Sequence, residues 1–186
     1  MKNDIEKLKF PIGKYKAILE FNFSRTVEDI KTLESFADKL RDSVKGLDKT
    51  DFKKTYRKGG MNIAQIIHHY CDTHTYAFLR TKHTLLEDNP SVKMYEVSEF
   101  LTTPESNVLD VEDSLKVIEG IHAKWVSLLK TLSQDDFNKT YYHSARDKNI
   151  ILHEHVGMYA WHTKHHLVHI GMAKESIKEK GKRSKQ

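Results

Sequence analysis

In four long stretches of this 186-residue chain, apolar side chains recur every three or four positions, and almost nowhere do they follow the two-residue alternation of a strand. The first runs from Val27 to Val44, with Ile30, Leu33, Phe36, Ala37, Leu40 and Val44 along one face. The second opens at Asn62, a side chain suited to capping a helix, with Gln65 three residues on to complete a capping box. It continues through Ile66, Tyr70 and Phe78 until Asn89-Pro90 stops it. The third starts near Asp110 and carries Leu115, Ile118, Ile121, Trp125 and Leu129. The fourth starts near Ile150, is apolar on most sides through Ile170, and frays before Gly181. Four such elements predict an all-α four-helix bundle.

Two connections, residues 89–109 and about 133–149, exceed the ~2–8 residues usual between bundle helices and read as crossovers or as lids over one end. The chain also echoes itself. LDKTDFKKTY (47–56) matches LSQDDFNKTY (132–141) at six of ten positions, each copy following an apolar helix and preceding a histidine-bearing one. This predicts two related helix pairs about an approximate two-fold axis, with the second and fourth helices face to face.

A hydrophobic content of 38% over this length suits one domain, read here as residues 1–175 followed by a basic tail, 176–186. The last thirteen residues hold six Lys/Arg against two Glu, so they carry +4 of the formal +5 and leave +1 over residues 1–173. A near-neutral body, with no aromatics among the tail lysines, speaks against a nucleic-acid partner. No apolar run approaches the ~20 residues that span a bilayer, and MKNDIEKLKF lacks the apolar block of a secretory signal, so a cytoplasmic protein without a membrane partner is expected. Cys71 is the single cysteine, which fits a reducing compartment and rules out an intrachain disulfide.

Half of the twelve histidines fall between His153 and His169. At about 100° per residue, His155, His162, His166 and His169 share an arc of roughly 60° on the fourth helix. Histidines at i and i+4 present their rings one turn apart, within reach of one ion, and His162/His166 lies centrally in this stripe. His165, paired with His169, is turned about 60° from His162. His68, His69 and His74 on the second helix offer a third donor. Three imidazoles would leave coordination positions open, as in catalytic zinc sites. Spacing alone leaves a second reading open, in which the same imidazoles are half-buried packing residues. His153-Glu154 begins like a zincin HExxH motif, but Gly157 stands where its second histidine belongs. Cys71 reads as a packed core thiol.

The stretches 59–96 (GGMNIAQIIHHYCDTHTYAFLRTKHTLLEDNPSVKMYE), 121–137 (IHAKWVSLLKTLSQDDF) and 159–170 (YAWHTKHHLVHI) resemble the DinB/YfiT-like superfamily, with PIGKYK (11–16) similar to the opening arm of its YfiT branch. That branch is described as metal-dependent hydrolases and includes bacillithiol S-transferases. The resemblance implies a four-helix bundle holding one divalent ion per chain, zinc or nickel, through His69, His162 and His166. It also implies a homodimer. His68, about 100° away from His69, reads as a packing residue or a donor to a ligand. Three positions depart from the family pattern: Met61, Cys71 and Ser144. None is a ligand; all bear on the pocket wall.

A cation held this way can activate water for hydrolysis or hold a small thiol as a nucleophile for transfer, so the expected substrate is a small molecule, with a low-molecular-weight thiol among the candidates. Asp72, about 60° off the His69 direction, is the candidate for steering an imidazole or accepting a proton, and Tyr76 and Arg80 follow on that face. The alternative is a non-catalytic metal-binding or dimerisation module. The family's association with DNA damage would add a nucleic-acid partner, which the charge distribution opposes.

Overall fold

The computed structural model describes residues 2–92 and 96–183. In chain order it contains α1 (Lys2–Lys9), α2 (Phe23–Glu34), α3 (Phe36–Val44), α4 (Ile63–Leu86), β1 (Ser91–Val92), α5 (Val97–Phe100), α6 (Glu112–Leu129), α7 (Gln134–Asn138), β2 (Thr140–His143), β3 (Lys148–Ile151) and α8 (Leu152–Arg183). The α2/α3 pair, α4, α6 and α8 pack on one another as a four-helix bundle, as the periodicity predicts.

Three boundaries differ from the sequence expectation. The first helix begins at Phe23, behind an Asn22 cap whose side chain accepts from the Arg25 amide, and it breaks at Ser35. The Ser35 hydroxyl donates to the Lys31 carbonyl at 3.1 Å and competes with the helical ladder there. The last helix runs through Gly181 to Arg183 instead of fraying before it; residues 184–186 of the tail lie outside the described residues. The long connections also contain strands. Parallel β1–β2 and antiparallel β2–β3 ladders join 89–109 to 133–149 in one small sheet, with Lys93, Met94 and Tyr95 outside the described residues.

The second helix starts where its capping chemistry dictates. The Asn62 side chain accepts from the Gln65 amide at 2.8 Å while the Gln65 side chain accepts from the Asn62 amide at 3.1 Å. We expect Asn62→Ala to cost about 1 kcal/mol, read as a lower urea midpoint with an unchanged m-value. An unchanged midpoint would show the cap to be dispensable.

The internal echo is structural as well. Asp48 and Asp51 exchange backbone and side-chain bonds in the first copy, as Ser133 and Asp136 do in the second. The Lys54 carbonyl accepts from Ile63 N at 3.1 Å and the Lys139 carbonyl from Leu152 N at 2.9 Å, so the two copies launch α4 and α8 in the same way.

Two apolar clusters fill the bundle. One gathers Phe36, Leu40, Ile63, Ile66, Tyr70, Ile118 and Ile170; the other gathers Leu33, Ala77, Trp125, Leu129, Leu152, Val156 and Ala160. On α4, α6 and α8 these positions bracket a histidine: His74 between Tyr70 and Ala77, His122 between Ile118 and Trp125, His162 and His166 between Ala160 and Ile170. A layer of imidazoles therefore separates the two cores, and such a layer is tolerable only if its nitrogens find partners.

Candidate metal centre

His69 from α4 and His162 and His166 from α8 point into this layer, and one nitrogen from each lies within 4.8 Å of the others. His69 Nε2 and His162 Nε2 are 3.1 Å apart. Two nitrogens each roughly 2.0–2.1 Å from one ion, at angles between octahedral and tetrahedral, sit roughly 2.8–3.4 Å apart, so this spacing fits a shared cation. The rings meet edge to face, with centroids 5.1 Å apart for His69/His162, 5.0 Å for His69/His166 and 4.7 Å for His162/His166. The Tyr70 hydroxyl donates to the Thr163 carbonyl at 2.6 Å and ties α4 to α8 at this level.

Burial holds all three imidazoles neutral. It pushes His69 down to about 4, with His165 adding to the shift, and it holds His162 and His166 well below the ordinary imidazole value, with neighbouring histidines adding to it. A neutral imidazole is the form that donates a lone pair to a metal.

The remaining histidines of the stripe have other partners. The Tyr141 hydroxyl donates to His155 Nδ1 at 2.9 Å, and His155 Nε2 donates to the Ala77 carbonyl at 3.1 Å, so His155 is a satisfied core residue. His169 Nδ1 lies 3.1 Å from His166 Nδ1, its Nε2 faces the Leu8 carbonyl at 3.0 Å, and the Tyr56 ring stacks on it at 3.8 Å. His165, His166 and His169 also converge within 4.8 Å. In that group His165 stacks on Trp161 at 4.4 Å, and one nitrogen each of His166 and His169 is taken up by the other.

On α4, His68 turns away to α6 and bonds Ser114 Oγ at 2.8 Å and the Val108 carbonyl at 3.1 Å, in agreement with a packing role. Asp72 is half-buried, and its carboxyl is raised by burial and by Glu105, with His68 opposing. Among the described residues it makes no hydrogen bond to His69, His162 or His166, and its electrostatic neighbours lie on the α6 side. The side chains that hydrogen-bond the outer nitrogens of the α8 pair are themselves histidines: His74 Nε2 lies 3.1 Å from His162 Nδ1 and His169 Nδ1 lies 3.1 Å from His166 Nδ1, and behind His74, His122 Nε2 lies 2.7 Å from its Nδ1. Sequence reasoning missed His122 because it named Ile121 as the inward residue of that turn. The signal was available, since His122 lies four residues after Ile118 and three before Trp125.

Arg80 is buried, with its guanidinium over the Tyr76 ring at 5.5 Å and Nη1 3.4 Å from the Tyr159 hydroxyl. Cys71 packs against the first apolar cluster, and burial pushes its thiol up, which suits a core residue and not a nucleophile. Met61 joins Arg57, Gly60, His143 and Arg146 around a cavity of about 580 Å³ between the turn before α4 and the second long connection. Among the described residues no helix is long and apolar enough to cross a membrane.

Comparison with known proteins agrees with this architecture. The family model of the DinB superfamily matches residues 32–170. A protein of Geobacillus thermodenitrificans named "putative metal-dependent hydrolase" is 35% identical over 166 residues, covering 89% of this chain and 93% of its own. YfiT of Bacillus subtilis, which bears the same description, is 31% identical over 163 residues, covering 88% and 92%. The solved structure of Bacillus subtilis YfiT, described as having an unusual four-helix bundle topology, superposes with a TM-score of 0.89 at 29% identity, over 92% of this chain and 98% of that one. The chain belongs to the DinB superfamily, in its YfiT-like branch.

Proposed function

We propose that this protein is a divalent-metal-dependent hydrolase acting on a small molecule, with one ion per chain, zinc or nickel, held by His69, His162 and His166. The observation that carries the reading is the convergence of three neutral imidazoles from two helices within 4.8 Å. Three donors leave coordination positions for water or substrate. When bound, the ion supplies Lewis acidity, polarising an acyl or phosphoryl oxygen and easing deprotonation of a water or thiol. The chain's own part is positional. The i, i+4 pair fixes two donors on one rigid helix, the Tyr70–Thr163 bond holds the third donor's helix against it, and the rings of Tyr70 and Tyr159 wall the layer against bulk water. We retain Asp72, half-buried and three residues after His69 on α4, as a candidate proton acceptor, and a homodimer as the assembly.

The test is turnover by the purified protein reconstituted with zinc or with nickel, against a panel of activated esters and amides. Cleavage that needs the metal and no thiol is expected. Turnover only when a small thiol is supplied with an electrophile would assign the S-transferase reaction of the transferase relatives instead. Metal binding with neither activity would leave a non-catalytic module.

A further inference from the structure

We propose that His122, His74 and His169 are positioning residues: two chains of neutral imidazoles, each anchored on a main-chain carbonyl, force His162 and His166 into the tautomer that presents Nε2 to the cation. The inference rests on the metal reading above for its purpose, but the tautomers themselves can be read without any metal.

A neutral imidazole has one N–H and one lone pair, so its polarity is settled by whichever nitrogen faces a group of fixed character. A carbonyl only accepts. In the first chain the Leu33 carbonyl lies 2.8 Å from His122 Nδ1, which must therefore carry the hydrogen, leaving His122 Nε2 as an acceptor. His74 Nδ1, 2.7 Å away, then donates, and His74 Nε2 accepts. His162 Nδ1, 3.1 Å from that nitrogen, donates in turn. The lone pair of His162 is thereby left on Nε2, the nitrogen 3.1 Å from His69 Nε2.

The second chain is shorter and reaches the same outcome. The Leu8 carbonyl accepts from His169 Nε2 at 3.0 Å, so His169 Nδ1 is an acceptor. His166 Nδ1, 3.1 Å away, donates to it, and the lone pair of His166 falls on Nε2. Chains of two and of one intermediate imidazole end alike because each neutral ring passes on the same polarity, and both His162 and His166 are reached through Nδ1.

Both anchors are carbonyls at helix ends, where the amide four residues on no longer supplies a partner and the helix dipole makes the oxygen a better acceptor. Leu8 is in the last turn of α1. Leu33 precedes the break at Ser35, and an unbroken helix would have spent its carbonyl on the amide of residue 37. His69 is left as the member whose tautomer is free to change. Without a cation, only its Nε2–H can serve the bare His162 Nε2; with one, both Nε2 lone pairs turn to the ion.

The experiment is a long-range ¹⁵N–¹H correlation spectrum of the ¹⁵N-histidine-labelled, chelator-treated protein at pH 7.5, followed by zinc titration of three proteins. His162, His166, His74 and His122 are expected as Nδ1–H tautomers, and His169 as Nε2–H. In the His122→Gln variant an amide oxygen can still accept from His74 Nδ1, so the His162 tautomer should persist and zinc affinity stay within about threefold of the parent. The His122→Met variant keeps the bulk but removes the acceptor; the His162 signals should then show mixed tautomers, and affinity should fall roughly 10–100-fold. An Nε2–H tautomer at His162 in the parent overturns the proposal, as does equal affinity of the Gln and Met variants. If the parent binds no zinc at all, the metal reading fails, and the spectrum alone still decides the tautomers. Should the Met variant fail to fold, the parent spectrum and the Gln variant carry the same decision.

Discussion

Replacing His69, His162 or His166 with alanine is expected to abolish stoichiometric metal binding, whereas His165→Ala should leave it within a few-fold of the parent. Structural zinc sites with four ligands bind with about 10–16 kcal/mol, roughly 3–4 kcal/mol per ligand, so losing one of three donors weakens binding by roughly two to three orders of magnitude. His165 is the informative control because it belongs to the rival convergence with His166 and His169. Elemental analysis after reconstitution and desalting, followed by calorimetric titration, reads the result. Loss of metal in His165→Ala with retention in His69→Ala would move the ion to the rival group. His166→Ala should lose the metal on either assignment and so sets the level of loss against which the other two variants are read.

Much of this centre was legible in the sequence. The helical stripe brought out His162 and His166, their spacing of four made them a chelating pair, and the family resemblance pointed to His69; the structure brings those three rings together. What spacing could not separate were the other members of the stripe. His155 and His169 lie on the same face as the pair, and only tertiary partners distinguish them. Tyr141 and the Ala77 carbonyl claim both nitrogens of His155, while the Leu8 carbonyl turns His169 into an acceptor for His166.

The larger omission has one physical source. The stretch Val27–Val44 has unbroken apolar periodicity and no Gly or Pro, so nothing in its pattern announces a break at Ser35. A serine in mid-helix that bonds back to the carbonyl four residues earlier is a weak local signal, decided by packing. The break frees the Leu33 carbonyl, and that carbonyl organises His122, His74 and His162. The strands were missed for a related reason. β1 has two residues and gains its ladder only because the other long connection lies alongside, a pairing between segments about fifty residues apart that no local window contains.

The metal-free protein is expected to lose stability steeply as pH falls from about 7.5 to 5.5, with a drop of roughly 5–10 °C in Tm over that interval. His122 and His155, neither of which belongs to the convergent trio, suffice for this effect. Burial pushes His122 down to about 4 and His155 down to about 3. Their folded values lie below the unfolded value of about 6.5, so below that pH the unfolded chain binds more protons than the folded one. Their stabilising contribution is whole above pH 6.5 and is lost as the pH falls through 6.5 towards 4. At pH 5.5 each has lost on the order of 1 kcal/mol, together a substantial share of the roughly 5–15 kcal/mol typical of a folded domain. Carboxyls act with the opposite sign: burial raises Asp29 and Asp72, and protonating them favours the fold as the pH falls. Thermal melts in chelator across this range measure the slope directly, and His122→Gln should make it shallower because one titrating group has been removed. A Tm independent of pH down to 5.5 would mean that these rings are solvated and charged, and a layer of charged rings could not supply the lone pairs on which the centre depends.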